Sequence, residues 1–218
     1  MVTAGATGLP AAPFVADFLA GRLEAGAMLW RVHGVHDPAT FPPVAVQGAH
    51  PGRFTPLNLS DLTGLYCGRS VDAALYEAIG RNAPLPPPGG GHVRIHLDEL
   101  KGRYLSAMQT SRDVRFADLS GPGLTRVGIK PSNFTEHDPA IYATTVTWAR
   151  AASRSGFEAL VWNSVRNLNE EALIVYGPAQ TQAPLKALDD PVPLWFGHGL
   201  DLVTVAFEAV NVHIVGAA

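Results

Sequence analysis

Only one cysteine, Cys67, occurs in the 218 residues. No internal disulfide can form, so an apolar core has to hold the fold, and a reducing compartment, the cytoplasm, is the expected location. Nowhere does the chain run to about 18 consecutive apolar residues. Its start, MVTAGATGLPAAPFVADFLAG, has no basic segment ahead of the apolar residues, so neither export nor a membrane anchor is expected. Charge is sparse, 16% of residues with a formal net charge of -3, and direct nucleic-acid binding is not expected without a basic excess. A dinucleotide-binding glycine fingerprint is also missing. Gly121-Pro122-Gly123 is followed by Gly128 at the wrong offset, and no P-loop lysine pattern occurs. His92 and His96 have no third partner at metal-ligand spacing and are expected to be solvated, so no metal is expected.

What is present is an apolar fraction of 47%, in a chain long enough to bury a substantial core. A single domain over residues 1–218 is expected, with a helical extension over 1–27 and a core over about 28–177. Phe14, Phe18, Leu19 and Leu23 recur at helical spacing between Pro13 and Gly26 and predict a leading helix. Met28–His33 predicts a short strand. The prolines between Asp37 and Pro43 predict an irregular loop reaching into solvent near the site. Leu62–Gly68 is a compact apolar segment, after which Ser70 and Asp72 suit the start of a helix. Pro84–Gly91 breaks any regular element. Val93, Ile95 and Leu97 alternate inward on a strand with His92 and His96 outward. A helix over Ala140–Ser153 and strands over Phe157–Trp162 and Glu171–Tyr176 follow, and Leu202–Val215 is expected to be a long strand or strand pair.

Four polar side chains stand inside apolar segments: Arg53 in HPGRFTPL, Tyr66 in GLYCGRS, Glu77 in ALYEAIGR and Ser164 in ALVWNSVRN. A buried charge must be paired or useful. Glu77 lies beside the stripe Ala74, Leu75, Ala78 and Ile79 and is placed at the edge of a cleft. Each residue also has a plain structural reading. Glu77 has Arg81 four positions on, within reach of a helix-surface ion pair. Arg53 is equally a structural arginine, Tyr66 a core tyrosine and Ser164 a turn or cap serine without a Gly-x-Ser-x-Gly elbow. Arg31, flanked by Trp30 and Val32, either lines the substrate site or closes an ion pair.

Taken together, Leu29-Trp30-Arg31, Gly52-Arg53-Phe54 after a proline-containing loop, Leu65-Tyr66-Cys67-Gly68, Ala74-Leu75-Tyr76-Glu77, and Gly156-Phe157-Glu158-Ala159-Leu160 leading to Asn163-Ser164-Val165-Arg166 resemble the RES domain family. The stretch covers about Met28 to Gly177. It departs from the family pattern in the longer, more polar Leu100–Asn133 segment and in Val161-Trp162-Asn163-Ser164, which replaces a proline-containing turn. The resemblance implies an α+β, ADP-ribosyltransferase-like fold with a split mixed β-sheet and flanking helices. It also implies an NAD-degrading toxin of a bacterial toxin–antitoxin pair, with NAD as substrate, no separate cofactor, and an antitoxin protein as partner. Transfer of ADP-ribose to a macromolecule, and an idle nucleotide- or protein-binding module, stay open beside that reading. By the same resemblance Arg53, Tyr66, Glu77 and Ser164 are the site residues. A carboxylate suits an oxocarbenium-like centre, and an arginine fork suits a pyrophosphate. Tyr66 would stack on nicotinamide or donate its hydroxyl, and Ser164 would bond a phosphate or ribose oxygen.

Overall fold

The computed structural model describes residues 11–14, 16–45, 52–55, 62–84, 86–87, 90–130, 142–164 and 169–216. In chain order come strands β1 (Leu19–Leu23), β2 (Met28–His33) and β3 (Leu62–Gly68), helix α1 (Val71–Ala78), and strands β4 (Val93–His96), β5 (Tyr104–Thr110) and β6 (Val114–Leu119). Helices α2 (Gly121–Arg126) and α3 (Tyr142–Arg154) follow, then strands β7 (Ala159–Asn163), β8 (Glu171–Pro178), β9 (Leu185–Ala187) and β10 (Val192–Pro193), helix α4 (Gly197–Glu208) and strand β11 (Val212–Val215).

One mixed sheet runs in the order β1-β6-β7-β8-β3-β2-β5-β10, with β9 also on β5. Within it β6 and β7 are parallel and the other pairs antiparallel. β3 pairs with β8 from Leu62 to Gly68, and β2 pairs with β5 from Met28 to His33. Between β2 and β3, however, only Trp30 and Gly68 are in register. The sheet is therefore split at that seam. β4 and β11 form a separate parallel ribbon.

The two faces and the region beyond the split hold three apolar clusters. Phe54, Leu119, Trp148, Leu160, Trp162 and Ile174 fill one face of the sheet under α3, while Leu23, Leu29, Leu65, Cys67, Met108 and Val161 fill the other. Across the split, Leu75, Tyr76, Ile79, Leu105, Val203 and Phe207 join α1 to α4 and to the β4–β11 ribbon. α1 is buried without interruption from Ala73 to Glu77, so its carboxylate is enclosed where a single apolar stripe would have left it at a helix edge.

Three sequence expectations change, and one segment without an expectation gains its structure. The leading helix is in fact strand β1, because Leu19, Gly21 and Leu23 face inward and pair antiparallel with β6. There Gly21 lies flat under Phe116, whose ring would stand 2.1 Å from an added Cβ. The first part of the proline loop is tucked in, with Ala39 and Phe41 buried in the second cluster and Phe41 N–H donating to Thr181 O at 2.9 Å, while Val44 is exposed and residues 46–51 lie outside the described residues. Leu100–Asn133 supplies β5, β6 and α2, up to the limit of the described residues at Lys130. The expected strand over Leu202–Val215 is helix α4 followed by β11, since Val203, Ala206 and Phe207 recur at helical spacing against α1. Asn211, at φ 57, reverses the chain between them. The expectations for β2, β3, α1, β4, β7, β8 and α3 agree with the structure.

Candidate active site

Glu77 is positioned by a tight strand-to-helix passage. β3 ends at Gly68, where a Cβ would lie 2.4 Å from Ala74 N, so only glycine lets the helix start this close to the strand. Ser70 then caps α1, its hydroxyl accepting the Ala73 N–H at 3.1 Å. Glu77, 8% exposed, faces a small hollow that Val32, Tyr66, Cys67, Ala74 and Ala78 also line, at the seam of the split sheet.

Arg53 sits on a turn whose polar groups are clamped from three directions. Thr55 N–H donates to Gly52 O at 3.1 Å, and Gly52 N–H donates to Thr55 Oγ1 at 2.8 Å. Phe54 N–H donates to the Tyr66 hydroxyl at 2.8 Å, with Thr55 Oγ1 3.3 Å from the same oxygen. Thr145 Oγ1 of α3 donates to Arg53 O. A side chain at Gly52 would strike the Tyr66 ring, which again requires glycine. Arg53 is buried, 3% exposed.

Arg53 and Glu77 act on each other's charge through space. Burial pushes the Arg53 guanidinium down to about 10, opposed chiefly by Glu77. Burial raises Glu77, opposed first by Arg53, then by Ser164 and Arg81. For both groups desolvation outweighs mutual attraction. Glu77 closes no ion pair with any described residue. Arg81, on the tight turn Gly80–Asn82 that follows α1, acts on it more weakly than Arg53 does. The i,i+4 surface pair is not made.

Tyr66 is half-buried, with its hydroxyl end enclosed by the Arg53 turn; burial pushes that hydroxyl up to about 12. Its first task is thus holding the turn. Ser164, fully buried at the end of β7, turns its hydroxyl toward Glu77, and the Trp162 indole N–H does the same. Both act on the carboxyl, yet neither completes a hydrogen bond of standard geometry. Arg53, Tyr66, Glu77 and Ser164 are therefore brought together, as expected. Arg31 is not brought to the carboxylate: burial lowers its guanidinium, opposed by Cys67 and Asp37 and not by Glu77, and its Nη1 donates to Tyr66 O at 3.1 Å. On β2 it alternates with Trp30 and Val32, which pack across the split, and shares its face with Leu29. It ties β2 to β3 where the sheet has almost no ladder.

Residues 28–196 match the RES domain. The chain belongs to the RES domain family. A chain of the M. tuberculosis MbcT–MbcA toxin–antitoxin complex is similar in structure, at 17% identity over 80% of this chain and 90% of that chain, with a TM-score of 0.55. At that identity the likeness is one of fold, the α+β, ADP-ribosyltransferase-like arrangement with a split mixed sheet. No curated protein is significantly similar in sequence.

The RES match runs past the expected core boundary at 177, and the further α4–β11 segment packs on the Glu77 helix: Tyr76 OH donates to Ala206 O at 2.6 Å, and Tyr76 and Phe207 meet edge to face at 5.4 Å. Thr55, Thr145 and Trp162 are site neighbours that sequence reasoning missed. Thr145 and Trp162 carried ordinary helix and strand signals, and only the docking of α3 and β7 onto the Arg53 turn brings them in. Among the described residues no group of three or more His, Cys, Asp or Glu is arranged to hold a metal, and no helix is long and apolar enough to cross a membrane.

Proposed function

We propose that this RES domain is an NAD-consuming enzyme that cleaves the bond between nicotinamide and ribose, as a glycohydrolase or phosphorylase, and is the toxin of a toxin–antitoxin pair. The observation that carries the reading is the buried Glu77 carboxyl, apart from but facing Arg53, in a hollow at the seam of the split sheet. Family membership and a fold shared with a chain of a toxin–antitoxin complex support it.

The chemistry follows from the charges. When the glycosidic bond breaks, its electron pair leaves with the nicotinamide nitrogen, which becomes neutral, and the positive charge moves to the ribose C1 and ring oxygen. Glu77 is penalised as an anion by burial and has no ion-pair partner among the described residues, so it gains most when that charge arrives beside it. Stabilisation that grows toward the transition state is what accelerates a reaction. Arg53 offers a planar fork to pyrophosphate oxygens, with its turn already fixed by Tyr66 and Thr145. Ser164, whose hydroxyl proton is directed at Glu77, offers its oxygen lone pairs to a ribose hydroxyl. Water or phosphate then attacks C1, and its proton passes to solvent, giving ADP-ribose or its 1-phosphate. An antitoxin protein would act by covering this hollow, and the buried free thiol of Cys67 suits a cytoplasmic protein.

The test is to incubate the purified protein with NAD, with and without phosphate, and identify products by mass spectrometry. Release of nicotinamide with ADP-ribose, or with ADP-ribose 1-phosphate when phosphate is present, is expected. Intact NAD after prolonged incubation with folded protein would sink the proposal, and ADP-ribose found only on protein or nucleic acid would replace it with macromolecular transfer.

A further inference from the structure

Trp162 is fully buried on β7, opposite Leu119 of β6 and Ala172 of β8. Its ring centroid lies 4.5 Å from that of Phe54 and 6.0 Å from that of Tyr66, the latter edge-on. One indole thus touches both the residue after Arg53 and the tyrosine that clamps the Arg53 turn. Such packing explains the ring. It does not explain the indole N–H, which is buried without a hydrogen-bond partner, and a buried donor left unpaired costs stability unless it is used. Ser164, two residues on and so on the same face of the strand, has a fully buried hydroxyl in the same condition. Both donors act on one group, the Glu77 carboxyl.

We propose that Trp162 is a positioning residue for Glu77: its indole N–H, with the Ser164 hydroxyl, holds one carboxylate oxygen so that the other faces the scissile ribose. Contacts of this kind are commonly long in an empty site and close in the substrate complex. The assignment rests on the reading of Glu77 as the group that acts on NAD.

Trp162→Phe keeps an aromatic ring against Phe54 and Tyr66 and deletes the N–H. Two quantities are read in parent and variant: the titration of the Glu77 carboxyl by NMR on protein carrying 13C-labelled glutamate, with the signal assigned by its loss in Glu77→Gln, and kcat and KM for NAD. Arg53, Arg81, Tyr66 and Ser164 face the carboxyl in both proteins. The Glu77 titration should move up by about half a pH unit or more, because a donor to the charged form is gone. kcat should fall about tenfold or more, with KM within about threefold. An unchanged titration overturns the proposal whatever turnover does, and so does an unchanged kcat in a folded variant of an active parent. If the parent consumes no NAD, the reading of function fails by itself and the titration alone decides Trp162. Should Trp162→Phe not fold, 3-benzothienylalanine at position 162, with sulfur in place of N–H in a ring of the same shape, takes its place with the same expected outcomes.

Discussion

The backbone N–H of Phe54 donates to the Tyr66 hydroxyl at 2.8 Å, so the turn that carries Arg53 is fastened to the strand leading into the Glu77 helix. Arg53 and Glu77 are 24 positions apart in sequence, and this bond is one of those that fix their mutual placement, beside the Thr55 and Thr145 bonds to the same turn.

Tyr66→Phe keeps the ring against Trp162 and leaves the Phe54 N–H buried without its acceptor. A cost of about 1–3 kcal/mol is expected, which lowers the melting temperature of a domain this size by about 2–12 °C. Scanning calorimetry checks it. An unchanged melting temperature would mean that the Phe54 N–H finds another acceptor.

Glu77→Gln preserves shape and removes charge. NAD turnover should fall by about 2.7–4 kcal/mol of transition-state stabilisation, roughly a hundred- to a thousandfold. Expressed alone in bacteria, the parent chain should deplete NAD and arrest growth, and the variant at equal level should do neither. Equal turnover in a folded variant removes Glu77 from the chemistry, and normal growth with abundant soluble parent protein removes the toxin reading.

Arg53→Lys conserves charge and loses the planar fork. In the Glu77→Gln background, where NAD is not consumed, calorimetry should show weaker NAD binding than with Arg53 present. Equal affinities would take Arg53 off the pyrophosphate.

The raised Glu77 titration has a defined consequence for stability. A carboxyl whose folded value exceeds its unfolded value, about 4.3, stabilises the fold fully below that value, and the contribution is lost as pH rises through the folded value. Arg53, lowered to about 10, keeps one charge state throughout this range and adds only a constant offset. Across acid to neutral pH, the melting temperature of the parent should therefore fall relative to that of Glu77→Gln as pH increases. Parallel curves would show that Glu77 is not desolvated.

Short-range signals in the sequence were sufficient for β2, β3, α1, β4, β7 and β8. In each, a side-chain period or a stop residue acts within a few positions, as when Gly68 ends a strand and Ser70 caps the next helix. Polar groups inside apolar runs singled out Arg53, Tyr66, Glu77 and Ser164, and the family resemblance grouped them as one site. Tertiary structure decided the rest. Leu19–Leu23 fits a helical spacing until Phe116 covers Gly21 and β6 offers its ladder. The β-branched Val203 and Val205 suggest a strand until α1 offers Val203, Ala206 and Phe207 a face to pack against. Arg31 spends its Nη1 on Tyr66 O across the seam, and Trp162 meets the Arg53 turn only because β7 lies beside β8 and under that turn. Periodicity and capping are local and can be read along the chain. Pairing partner, sheet face and the approach of one charge to another are set by contacts between residues far apart in sequence, whose energies exist only once the chain has folded.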